Sequence, residues 1–473
     1  MSSSPLVVWL RSDLRLADHP ALAVAARTGR PVIPLYVFDE GNRNAVPGAA
    51  SRWWLHHSLR RLGADLEALG SRLVLRRGNA TAVLRQVVRE TGAGGVLYGR
   101  SHEPRARAVV RLAEKAGVPM KGFAGNLLFE PGSVLTGAGG PYKVFTPFYK
   151  ACLSGPSPAA PLAAPETLRT PDAWPESDAL DGWDLLPRRP DWAGGMRRAW
   201  SPGEAGAGDR LDAFLDEAVE DYGGRRDLPA EPGTSRLSPY LHYGEISARQ
   251  VWQRAVSHPA GGSAGTASFL RELLWREFCC HLLFHFPALT HRPLRPEFER
   301  FPWRDDADAL RAWQRGRTGY PIVDAGMREL WETGWMHNRV RMIAASFLVK
   351  DLAIDWRAGA AWFLDTLVDA DPANNSCGWQ WVAGCGTDAS PYFRVFNPAL
   401  QAQKFDPEGA YVRRWVPELA SVPDACLAEP WKMAAGDRET IGLRLGRTYP
   451  HPIVDHGQAR RRALAAFDEV NSG

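Results

Sequence analysis

Lysine is scarce in this chain. Seven lysines stand against fifty arginines (57 − 7) in 473 residues. Base composition alone is enough to produce that skew, although arginine is also the better bidentate partner for phosphate. The formal net charge is only +4, which excludes a chain-wide basic field and makes any nucleic-acid surface a local one. Cysteine is sparse too. The six (Cys152, Cys279, Cys280, Cys377, Cys385, Cys426) form no CxxC metal pair, so no metal centre is expected and the thiols read as reduced and cytosolic. No signal peptide, transit segment or long apolar run occurs, and the expectation is a soluble cytoplasmic monomer with no membrane partner. Nor does a GxGxxG follow the first strand-like run, which argues against an ordinary dinucleotide site in the first half.

What is present is a large globular composition, 45% apolar and 23% charged, with length for two or three domains and ample core. Tryptophan is abundant, with 19 residues. Nine of these lie from Trp275 to Trp381, more than packing of a large core requires. In the first 125 residues, short apolar runs at 6–11, 31–39, 72–78 and 95–100 read as buried strands. Helical patterns at 19–28, 52–69, 80–91 and 104–116 alternate with them. That alternation predicts a doubly wound parallel α/β domain over residues 1–130, with a crevice at the carboxyl edge of its sheet. A connector over 131–203 follows. Nine prolines lie between Pro156 and Pro202, yet Trp174, Trp183, Trp192 and Trp200 argue for a segment strapped to the surface rather than a free one.

Residues 204–473 read as an all-helical domain. Leu211, Phe214, Leu215, Ala218, Val219 and Tyr222 keep helical spacing. Ser238 before Pro239 reads as a cap followed by proline at the first helical position. Thr234, Ser235 and Ser238 then gather hydroxyls and free N–H groups at a helix start, as a phosphate would need, or as plain capping would. On the helix 269–286, Phe269, Glu272, Trp275, Arg276 and Cys279 lie on or beside one stripe. They suit a cavity wall, or a surface pair of Glu272 with Arg276. The segment 334–352 puts Trp335, Asn338, Arg339 and Met342 on one face, with Arg341 beside Asn338. The stretch from Asp369 to Asn397, DADPANNSCGWQWVAGCGTDASPYFRVFNP, is the most loaded. Pro372 biases Asp371 away from helix, so a loop is expected here, carrying Asp369, Asp371, Asn374, Asn375, Trp379 and Trp381. A capping loop and a ligand-binding loop fit it equally.

Six motifs share an origin: VWLRSDLRLADHPAL (8–22), YGGRRDLPAEPGTSRLSPYL (222–241), RELLWREF (271–278), TGYPIVDAGMREL (318–330), GWMHNRVRMI (334–343) and the stretch from Asp369. Together they resemble the photolyase/cryptochrome family, and more closely its class I cyclobutane pyrimidine dimer photolyases, over nearly the whole chain.

The resemblance implies an N-terminal α/β antenna domain and a C-terminal helical domain holding FAD, fully reduced in the active form. It implies light-driven electron transfer from the reduced flavin to a pyrimidine dimer flipped out of UV-damaged DNA, base flipping being a recorded habit of photolyases. Tyr222, Thr234, Ser235, Arg236, Leu237 and Ser238 would hold the diphosphate. Phe269 would pack where many relatives carry tryptophan. Asn338, Arg341, Asp369, Ala370, Asp371 and Asn375 would surround the isoalloxazine, with Arg341 paired to Asp369. Glu272, Trp275, Arg276, Asn338, Met342 and Trp381 would line the lesion pocket, and Arg226, Arg339, Arg394 and Gln401 would meet the DNA backbone. Trp379, Trp356 and Trp303 would form a chain of electron-hopping indoles running from the flavin to the surface. A second antenna chromophore, deazaflavin or folate, is an option the resemblance leaves open. Glu103, Pro104 and Thr290 depart from the folate-binding pattern. The alternatives are a cryptochrome-like blue-light photoreceptor and a (6-4) photolyase.

Overall fold

The computed structural model describes residues 4–40, 47–388 and 393–472. The chain falls into two compact units, and it does not divide between them in simple order. The first comprises Met1–Trp192, Arg197–Glu220 and Ser235–Pro287. The second comprises Ala193–Met196, Asp221–Thr234 and Ala288–Gly473.

The first unit is built on a five-stranded parallel sheet in the order β3-β2-β1-β4-β5. Its strands are β1 (Leu6–Leu10), β2 (Val32–Phe38), β3 (Val74–Arg77), β4 (Val96–Gly99) and β5 (Met120–Phe123). The helices α1 (Pro20–Arg27), α2 (Ala49–Ala68), α3 (Ala80–Thr91) and α4 (Pro104–Lys115) connect them, as the alternation of patterns predicts. The strand β5 is an addition. Its four residues, MKGF, are only half-buried at the sheet edge and carry no apolar run.

The strand order reverses beside β1, where such sheets open a crevice. Here the chain fills it with its own side chains. The Arg11 guanidinium donates to the Gly99 carbonyl of β4 and lies 4.3 Å over the Trp9 ring. A Cβ on Gly99 would lie 2.4 Å from Asp13 Oδ2. Burial pushes the Asp13 carboxyl up, but His19 and Arg11 outweigh it and hold the group at about 2. Asp18 accepts from Ser247 Oγ and Arg249, while Arg15 donates to the carbonyls of Asp18, Gly125 and Gly244. The motif at 8–22 is therefore a polar hub inside the first unit.

The proline-rich connector is strapped down as expected. Val32 N donates to the Arg169 carbonyl, Asp178 N donates to that of Leu75, and Trp183 stacks on Phe38 at 5.4 Å. The unit closes with α5 (Phe145–Ser154), α6 (Glu204–Glu217), α7 (Ser238–Tyr243) and α8 (Ala264–His285). The apolar stripe from Leu211 is buried throughout, although α6 ends at Glu217 and Tyr222 belongs to the next turn.

The second unit is helical. Its principal members are α9 (Pro321–Thr333), α10 (Asn338–Ser346), α11 (Trp356–Thr366), α12 (Pro372–Ala383), α13 (Pro398–Phe405) and α14 (His456–Ser472). A single wider π-type turn, Phe347–Asp351, follows α10 directly. Such turns are rare and concentrate at functional positions. The core is one apolar cluster running from Phe298 to Val470, with Trp313, Trp356 and Trp379 inside it.

Candidate functional site

The stretch at 369–397 is a loop only in part, because residues 372–383 of it are helical. Asp371 is extended (φ −71°, ψ 122°), as a residue before proline must be. A helix, α12, begins at the next residue. Asp371 Oδ1 accepts from Asn374 N at 2.8 Å and from Asn374 Nδ2 at 2.7 Å. Aspartate at the cap with proline at the first helical position is a start signal, which the reading of Pro372 as a stop overlooked. Asn374, Asn375 and Gly378 are poor helix formers, and burial of Trp379 against α11 overrides them. Of this stretch, residues 389–392 lie outside those described.

Around the start of α12, the second unit assembles most of the residues assigned to the flavin ring. Arg341 donates through Nη2 to Asp369 Oδ2 at 2.8 Å and through Nε to the Met336 carbonyl at 2.7 Å. The Asp369 side chain is 3% exposed. Its other oxygen, Oδ1, is buried with no partner among the described residues. An unanswered buried carboxylate oxygen costs free energy, about 1–3 kcal/mol for a lone acceptor and more for a charged one. It fits a site that receives an N–H or O–H donor from a ligand, and FAD carries both. Ala370 is buried between the two aspartates. Asn375, one turn into α12, donates through Nδ2 to the Ala360 carbonyl of α11 at 3.1 Å. That bond fixes the amide and leaves its oxygen for other partners. Asn338, exposed at the start of α10, contacts Met342 Sδ at 3.9 Å. Tyr222 is buried with the Arg226 guanidinium 5.5 Å over its ring.

The phosphate-loop residues divide between the units: Tyr222 and Thr234 in the second, Ser235–Ser238 in the first. Within the first, Arg236 takes a left-handed conformation (φ 51°) that turns the chain into α7, and Leu237 N donates to Ser235 Oγ at 3.4 Å. Ser238 is the first helical residue and not the cap. Leu237 holds the cap position without a side-chain bond. The helix therefore starts one residue before the position that the Ser–Pro pair suggests.

On α8, Trp275 stacks face to face on Phe145 with centroids 3.7 Å apart and planes 10° from parallel. Arg276 bonds Glu277 Oε1 at 3.1 Å and the Leu241 carbonyl at 3.3 Å. Glu272 is half-buried, and Phe269 is buried against Phe214 at 4.7 Å. Glu277, which the sequence did not single out, is buried and receives Leu128 N and Phe129 N. Burial pushes its carboxyl up to about 7. His281 lies buried among Phe148 and Phe278, and burial lowers it to about 4. His337 caps α10, accepting Arg339 N at 3.2 Å.

Trp379 and Trp356 are buried, and Trp303 is half-buried. The Trp379 ring tip rests on α11 at Gly359, where an added Cβ would lie 2.1 Å from Cη2. Gly359 is three residues beyond Trp356, so Trp379 meets the face of α11 that Trp356 shares. Trp303 packs on Phe301 at 4.3 Å. The Nε1 atoms of Trp379 and Trp303 are buried without partners among the described residues.

Of the residues assigned to the DNA backbone, Arg339 is engaged. It bonds Asp227 at 2.8 Å and lies 4.3 Å over Phe405. Arg394 is exposed and Gln401 half-buried. Trp381 Nε1 donates to the Asp388 carbonyl at 3.0 Å. Gln380 between the two indoles is fully buried and ties α12 to the segment 289–294 through three bonds. Among the described residues no helix is long and apolar enough to cross a membrane.

Two family models match the sequence: "DNA photolyase" over residues 6–166 and "FAD binding domain of DNA photolyase" over 269–469. A deoxyribodipyrimidine photo-lyase of Agrobacterium fabrum is 50% identical over 99% of this chain and 99% of its own length. Cryptochrome-1 of Arabidopsis thaliana is 37% identical over 98% of this chain and 70% of its own length. A bacterial class III photolyase from Agrobacterium tumefaciens superposes with a TM-score of 0.96 at 49% identity, covering 100% of this chain and 99% of that one. The class I placement implied by the motifs has no support from these relatives.

Proposed function

Since the chain belongs to the photolyase/cryptochrome family and carries its FAD-binding domain, we propose that it repairs cyclobutane pyrimidine dimers in UV-damaged DNA under blue light. The observation that carries this reading within the fold is the Arg341–Asp369 pair, whose carboxylate is buried with one oxygen unanswered. When bound, reduced FAD would lend a photoexcited electron to an extruded lesion and take it back once the cyclobutane ring has opened, so that the repair is redox-neutral.

The chain's own residues do the rest. Arg341 and Asp369 offer a fixed charge pair and an acceptor to the ring system. Asn375, held by the Ala360 carbonyl, presents a neutral amide that carries no charge and has no readily mobile proton. Glu272 hydrogen-bonds the pyrimidine edge, and Trp275 gives the lesion an apolar face. Arg226 and Arg394 take DNA phosphates, a contact that is salt-dependent and blind to sequence. Trp379, Trp356 and Trp303 carry electrons inward to restore the reduced cofactor.

The test is incubation of the chemically reduced holoprotein with an oligonucleotide holding a single thymine dimer. Loss of the dimer in blue light and not in darkness is expected. Unchanged dimers in a flavin-loaded protein would sink the repair reading and favour a light sensor, and repair of a (6-4) lesion instead would move the specificity.

A further inference from the structure

Lys350 is one of seven lysines in the chain and is 3% exposed. It lies in the π-type turn, within the run FLVKD. Taking an ammonium out of water is costly, and an apolar residue of similar volume would fit such a core at least as well. Its Nζ donates to the main-chain carbonyl of Arg394 and lies 4.1 Å over the Phe393 ring. Four residues earlier, Ser346 Oγ accepts Phe396 N at 3.3 Å. Positions i and i+4 share a helix face, so one face holds the segment 393–397 at two points. That segment has no regular secondary structure of its own to set its path. Ser346, Lys350, Phe393, Arg394, Arg295 and Trp381 all line one cleft.

We propose that Lys350 is a positioning residue for DNA binding, holding the chain at Phe393–Arg394 so that the Arg394 guanidinium is presented to a backbone phosphate. The inference rests on the reading of Arg394 as a phosphate contact. The anchor acts on the main chain, so it works whatever side chain residue 394 carries. Burial lowers the lysine to about 7, against the pull of Asp351 and Cys385 and with a further push from Arg394. Arg295 lines the same cleft, and His456 and Arg462 of α14 reach the neighbouring Asp351.

The test is fluorescence anisotropy of flavin-loaded protein with a dimer-containing duplex, over a range of salt. Lys350→Met is expected to weaken binding about 5- to 10-fold and to reduce the salt slope by about one. The loss should appear in the DNA concentration needed for half-maximal repair and not in repair per absorbed photon at saturation. Arg394→Ala should weaken binding comparably, and the double variant should bind no worse than Arg394→Ala alone, because both act through one contact. Wild-type affinity in Lys350→Met, or additive losses in the double variant, would overturn the proposal. If Arg394→Ala alone binds normally, the phosphate reading of that residue fails and the role of Lys350 falls with it, while dimer repair stands. Should Lys350→Met not fold, Ser346→Ala removes the second hold alone. A weaker complex would then support the clamp, and unchanged affinity would refute it.

Discussion

Single residues carry most of the proposed chemistry, and their contacts say which changes matter. Trp303 is the most exposed of the three indoles assigned to electron transfer. Trp303→Phe should slow photoreduction of bound flavin, followed by absorbance under blue light, while chemically reduced enzyme still repairs dimers. Loss of both activities in a folded variant would count against that role. Gly359 tests the packing beneath it. In an exposed helix, Gly→Ala gains up to about 1 kcal/mol. Here the new Cβ would meet Trp379 at 2.1 Å and Leu348 at 2.6 Å. Overpacking of that kind costs about 1–3 kcal/mol, so Gly359→Ala should lower the denaturation midpoint. Residues of this sort were unequally legible. The pairing of Arg341 with Asp369 followed from the family motifs. Lys350 did not, because nothing local distinguishes a lysine that snorkels to water from one that tertiary packing buries. Its only signal was a lone cation inside FLVKD. The distances between the tryptophans are equally invisible in sequence, since the fold alone brings α12 onto α11.

At the scale of elements, periodicity read well where helices are amphipathic and strands are buried. The helix expected at 80–91 is Ala80–Thr91. It failed at α12, where the hydrophobic pattern is weak and the helix is set by its cap and by the indole packed on α11. Asp371→Asn keeps a cap acceptor and should hold stability within a few tenths of a kcal/mol, whereas Asp371→Ala should cost about 0.5–2 kcal/mol. Denaturant titration of the two variants checks this, and equal losses would show that the charge matters rather than the cap. The strand β5 went unread for a different reason: an edge strand only half-buried needs no apolar run.

For the molecule as a whole, acidity is a lever. Burial raises Glu245 to about 8, although Trp54 Nε1 and Gly203 N both donate to it. Glu277 is raised to about 7. In the unfolded chain these carboxyls ionise near 4.5. Between that value and 7–8 the folded state holds protons that the unfolded state has released, so stability falls as pH rises through the window. Lys350 acts oppositely above about 7, where the folded chain sheds a proton that the unfolded one keeps. Below about 6.5 His57 and His281, lowered to about 4 by burial, act oppositely to the carboxyls, so the check is a difference: Glu245→Gln should remove a falling contribution and make the denaturation midpoint rise more, or fall less, from pH 5 to 7 than in the parent protein. An unchanged slope in that variant would contradict the assignment.

The polar hub at Asp18 also has a history in time. Its partner Ser247 is made 229 residues later. At translation rates of roughly 5–20 residues per second, the nascent hub waits on the order of 10–50 s. For most of that interval β1 and α1 are already synthesised, but Arg249, which neutralises Asp18, is not. Pausing, chaperone capture or misassembly of the newborn chain would fall in that gap, before the second half has supplied Arg249.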